Sequence, residues 1–108
     1  MNFDINTVLT DMLSAIKGSV ENDWDKVQPV ANQFLQRDKD RIQLLAELRI
    51  NGELNEDKFQ SRLSDQKQII EAELNALAVL SKVIAQNAAN AVIDVLEKAI
   101  TVAIKTAI

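Results

Sequence analysis

Apolar residues recur at steps of three and four along almost the whole chain, and the clearest interruption of that rhythm lies at the centre, in Ile50-Asn51-Gly52-Glu53-Leu54-Asn55-Glu56-Asp57. Such spacing lines one face of a helix with apolar side chains. In the first half it runs through Ile5, Val8, Leu9, Met12, Leu13, Ile16, Val20, Trp24, Val27, Val30, Ala31, Phe34 and Leu35, and after one polar turn resumes with Ile42, Leu45 and Leu48. With only two glycines and one proline in 108 residues, the chain has too few turn formers for a many-stranded fold, so the expected class is all-α.

Gly52 has 51 residues before it and 56 after it, and its freedom at positive φ suits the cap that ends one helix. Asn55 is placed to cap the next helix, with Glu56 and Asp57 in its first turn, where the helix dipole favours negative charge. The spacing therefore predicts a long antiparallel hairpin: arm one over 3–50, a turn over 51–55 and arm two over 56–107, all within one helical domain. Unbroken, each arm would measure about 75 Å. Arm one is expected to kink or break near 22–28, where Asp25 offers a cap, Gln28 completes a capping box and Pro29 falls in the first turn. A softer candidate in arm two is 86–90, where Gln86, Asn87 and Asn90 interrupt the apolar run.

In arm two, Leu63, Ile70, Leu77, Ile84 and Ala91 are spaced by sevens, and a second seam passes through Leu74, Ala88, Val95 and Val102, with Ser81 as its polar exception. Sustained sevens predict coiled-coil-like packing. Residues 88–108 leave only a narrow polar stripe, through Asn90, Asp94, Glu97, Lys98, Thr101 and Lys105, and such a helix must be covered on several sides. One facing helix cannot do that. The expectation is an oligomeric helical bundle, most simply a twofold dimer, or docking on a helical partner protein. Its seam is read as Val8, Met12, Ile16, Trp24, Leu77, Ile84, Ala88, Ala91, Val95 and Val102. The alternative is a compact monomeric four-helix bundle in which both arms break.

Charge is unevenly spread: residues 36–73 hold 16 of the 28 charges. In a simple hairpin that segment would form a charged tip around Gly52, with the apolar termini at the opposite, open end. The segment carries both signs, as solvated, ion-paired surfaces do.

No histidine and no cysteine occurs, which excludes Ser-His-Asp and cysteine nucleophile chemistry, haem histidine ligation and disulfides. A ferritin-like di-metal site lacks its Glu-x-x-His elements. Glu71 and Glu73 do not share a helical face, and Asp94 is placed to pair with Lys98. Phosphate-loop, nucleophile-elbow and calcium-loop motifs are absent. The chain is thus expected to be non-enzymatic, without cofactor or metal. The net charge of −4 argues against nucleic acid. The sequence near Met1 has no basic region ahead of an apolar run, so no secretory signal is expected and a cytoplasmic location is the default. The longest uncharged stretch, 83–93, is too short and too polar to cross a bilayer. A lipid-surface role for the amphipathic termini is the second functional expectation, weakened by their few basic residues.

In length the hairpin resembles the small secreted ESX-type proteins. Those carry Trp-x-Gly at the turn, whereas Trp24 is followed by Asp25 and Lys26 and lies far from Gly52, so no family is assigned.

Overall fold

The computed structural model describes residues 3–77 and 79–107, with the side chain of residue 107 outside that description. Four α-helices follow one another: α1 (Ile5–Val20), α2 (Trp24–Ile50), α3 (Glu56–Asn75) and α4 (Lys82–Ala107), with a short 3₁₀ turn, Glu21–Asp23, between α1 and α2. At 1.5 Å per residue, α2 and α4 are each about 40 Å long. They match the longest dimension of the molecule, which measures 43 × 24 × 20 Å. Arms of 75 Å do not fit inside it. Both arms of the expected hairpin are broken, and the compact four-helix arrangement is the one observed.

The central turn forms as its local chemistry dictates. Asn51 ends α2, Gly52 takes φ 80°, and the amides of Gly52 and Glu53 return to the carbonyls of Arg49 (3.1 Å) and Leu48 (2.8 Å). This paired closure satisfies the last carbonyls of the helix. Asn55 then caps α3, its Oδ1 accepting from the Lys58 amide at 2.8 Å. Arg49 locks the turn from the inside. It donates to the Leu54 carbonyl (2.9 Å), pairs with Glu56 (2.6 Å) and lies over the Phe59 ring at 5.2 Å.

The first arm breaks slightly earlier than expected and by other means. Glu21, with φ 51° and ψ −110°, turns the chain, and the Trp24 amide bonds to the Glu21 carbonyl as α2 starts. Because that 3₁₀ turn already supplies the entry, no capping box forms at Asp25 and Gln28. Pro29 sits in the second turn of α2 rather than the first. It forfeits the bond to the Asp25 carbonyl at an exposed site, where water can replace it.

Arm two is continuous through 86–90 and breaks instead at 76–81, so the expected seam of sevens is not one helix. Leu63 and Ile70 belong to α3, Leu77 to the connector, and Ile84 and Ala91 to α4. Burial rather than a helix breaker makes this turn: Leu80 is buried, Leu77 and Val79 pack on the core, and the Leu80 amide bonds to the Leu77 carbonyl at 3.1 Å. Ser81, the polar exception in the seam, is the cap of α4. Its Oγ accepts from the Ile84 amide at 3.2 Å.

Pairings between helices give the directions. Arg49–Glu56 and Arg37–Glu73 make α2 and α3 antiparallel, and Gln60, bonded to Glu97 at 2.6 Å, makes α3 and α4 antiparallel. α4 packs against α1 and α3 and also touches α2, while α1 and α3 do not pack on each other. The fold thereby corrects the expected polarity. Glu97 lies beside Gln60, in the second turn of α3, so the C-terminal half of α4 runs next to the helix that leaves the Gly52 turn instead of forming a separate open end.

Two substitutions of opposite sign test the turns. A Cβ at Gly52 meets nothing within 4 Å, so Gly52→Ala isolates the backbone conformation and is expected to cost about 1 kcal/mol. Glu21→Gly relieves a side chain held at positive φ and is expected to stabilise by about 1 kcal/mol. Urea denaturation midpoints with unchanged m-values are the measurement.

Candidate interaction surfaces

Most of the seam residues are used inside the chain. Val8, Met12, Ile16 and Ala88 are buried; Trp24, Leu77, Ile84 and Val95 are half-buried against the core and Ala91 is half-buried; only Val102, at 57% exposure, stands free. Four helices of one chain therefore supply much of the cover that the apolar content demands. Gln86 and Asn87 face solvent and set no register.

Val8, Val95 and Val102 are brought together, with Phe3 and Ala99, in a shallow depression of about 490 Å³ between the start of α1 and the C-terminal half of α4. Its walls differ in charge. Asp4 and Asp11 stand on the α1 side and Lys98 on the α4 side. Lys98 makes no ion pair across the depression among the described residues, and the expected pairing with Asp94 does not form either. Asp4 is engaged as the cap of α1, accepting from the Asn6 amide (3.0 Å) and the Thr7 hydroxyl (3.1 Å).

A second depression, of about 190 Å³, lies between α2 and α3. Leu44, Leu45, Leu48 and Ile69 line it, with Leu44 54% exposed. Gln66 reaches it from α3. That side chain is only 4% exposed and its Nε2 has no hydrogen-bond partner. On α2, Asp38 is equally buried. Its Oδ1 meets Arg41 at 2.7 Å and Arg37 at 3.4 Å, whereas its Oδ2 is unpartnered. Arg37 reaches on to Glu73 at 2.7 Å, and the hydrogen bond and charge of Glu73, ahead of those of Asp38, raise its pKa above the ordinary guanidinium value.

Neither Asp38 nor Gln66 figured among the expected site residues, yet both carry a signal. Asp38 interrupts the stripe Phe34, Leu35, Ile42, Leu45, and Gln66 the stripe Phe59, Leu63, Ile70, Leu74. Polar residues in phase with an apolar face end up buried. Among the described residues, no three carboxylates converge as a metal site would require, and no helix is long and apolar enough to cross a membrane. Comparison with protein-family models, with curated proteins and with solved structures finds no match for this chain.

An unpartnered buried amide is a liability of about 1–3 kcal/mol that an apolar replacement of similar shape avoids. Gln66→Leu is therefore expected to raise stability by about 1 kcal/mol. The thermal and urea midpoints of the variant measure it, and a fall in both would show that the amide is satisfied in solution.

Proposed function

We propose that the chain is a non-enzymatic helical interaction module that self-associates as a twofold dimer through the α1/α4 depression. The observation that carries the reading is the arrangement of charge around a depression in which Val102 is exposed and Val95 and Ala99 are half-buried. Acidic Asp11 stands on one wall and basic Lys98 on the other, and among the described residues neither forms a salt bridge. A twofold axis through the depression exchanges the walls, setting Asp11 of one copy against Lys98 of the other and covering Val102 on both. Self-complementary contacts of this kind are the commonest route to oligomers. Covering an exposed apolar patch supplies the driving force, and the charges supply register.

The surface is smaller than the ten-residue seam expected from sequence, because much of that seam is buried within the chain. Val95 and Val102 are the members that keep accessible surface at the proposed contact, joined by Ala99, while Val8 and Phe3 line the depression from within the core.

Light scattering coupled to size exclusion tests the proposal. The expected mass at micromolar concentration is twice the 12.0 kDa of the chain. Val102→Glu should yield a folded monomer, since the side chain it replaces lies outside the core. Lys98→Asp alone should weaken association about tenfold, corresponding to roughly 1.4 kcal/mol, and Lys98→Asp combined with Asp11→Lys should restore it. A wild-type monomer, or a double variant no tighter than the single one, overturns the assignment.

A further inference from the structure

The connection between α1 and α2 is three residues long and begins on a strained residue. Among the described residues Glu21 is the one non-glycine with positive φ, and its ψ of −110° lies outside the small left-handed region that other residues visit. Its side chain is exposed, so the path of the chain and not side-chain packing holds it there. We propose that Glu21 is the hinge of a domain swap, in which α1 and α2 straighten into one helix and α1 docks on α4 of a second copy. The proposal is separate from the α1/α4 contact surface described above, because the swap exchanges core packing between chains instead of covering the depression.

The backbone needs little to straighten. Val20 and Trp24 already have right-handed helical angles, and the Glu21 amide already bonds to the Lys17 carbonyl, as in a helix interior. Turning Glu21 to ordinary helical angles extends the ladder: the Trp24 amide passes from the Glu21 carbonyl to that of Val20, the bond an α-helix makes. Residues 19–28 contain no glycine or proline to oppose this. Pro29 adds no cost, because α2 already accommodates it.

The side chains agree with the backbone. Ile16, Val20, Trp24, Val27 and Ala31 are separated by four, four, three and four residues, so the apolar stripe crosses the hinge without losing phase. A straight helix over 5–50, about 70 Å long, would carry that stripe on one face. α1 packs on α4 and α2 and on no other α-helix, and only 21–23 tie it to the rest of the chain. A second copy offers the same two surfaces. The swap therefore re-forms the α1 contacts between chains and relieves both hinges of the dimer. Short hinges under strain invite exchange of this kind. Association costs translational freedom, so the closed monomer prevails in dilute solution and the swapped form when concentrated.

The test reads the distance across the hinge within one chain. The sequence lacks cysteine, so Asn6→Cys and Gln36→Cys, both at exposed helical positions, take a pair of spin labels. They are placed in the Val102→Glu background, where the depression no longer favours association, and labelled chain is mixed into an excess of unlabelled chain before refolding. Refolding from concentrated urea at millimolar concentration is expected to give a fraction at twice the 12.0 kDa of the chain on size exclusion. In that fraction the labels should lie about 45 Å apart, the rise between those positions along one straight helix. In the closed form, where the axes of neighbouring helices are about 10 Å apart, they should lie within about 30 Å. Glu21→Gly eases the closed turn and weakens a straight helix, so it should lower the swapping equilibrium constant on the order of a hundredfold over the two hinges. Glu21→Ala should swap at least as readily as Glu21, and since both variants remove the carboxylate, the difference between them reads the backbone. Refolding that yields only monomer overturns the proposal. A dimer that keeps the short distance is a contact between closed chains and overturns it as well, as does equal swapping of Glu21→Gly and Glu21→Ala.

Discussion

The fold depends on covering α4. Its buried positions, Ala85, Ala88, Ala89, Val92, Ile93, Leu96, Ile100 and Ala103, occupy far more of the circumference than one neighbour can shield. Four of the eight are alanines, which let neighbouring helices approach closely, while Leu96 and Ile100 contribute the bulk. α1 and α3 flank α4, and α2 completes the enclosure. The break at 76–81 is a consequence: only by folding back there can residues 82–107 reach α1 and α3 together. The demand for cover on several sides is met largely within one chain.

Polar interactions refine this arrangement more than they drive it. Arg49 ties a backbone carbonyl, a carboxylate and an aromatic ring at the Gly52 turn, each a modest contribution, but together they fix how α3 leaves α2. Asp38 of α2 and Gln66 of α3 each bury a polar atom without a partner. An apolar pair of similar volume would pack with less penalty. One of these atoms, Gln66 Nε2, belongs to a residue that lines the α2/α3 depression.

How far the sequence could be read follows from where each signal resides. The Gly52 turn and the Asn55 cap were legible because their chemistry is local: a positive φ wants glycine, and a free amide wants a side-chain oxygen. The break between α3 and α4 was not, because 76–81 contains no glycine or proline and ends the helix through the burial of Leu80. The interval from Ile70 through Leu77 to Ile84 kept its spacing of seven across the break, so two helices looked like one. Ser81 was noticed as an exception in the seam, but its role as a cap depends on a helix starting there. Three of the expected seam residues, Val8, Val95 and Val102, line the α1/α4 depression. The α2/α3 depression became visible only when Arg62 and Gln66 were placed opposite the leucines of α2.

The pairing of α1 with α4 joins the first helix of this sequence to the last, and it bears on how the chain emerges during synthesis. Until residues 82–107 have been made, the face of α1 that meets α4 has no cover, although α2 and α3 can already pair. Without α4 the packing surfaces of both α1 and α3 lie open, and docking of this one helix covers them together.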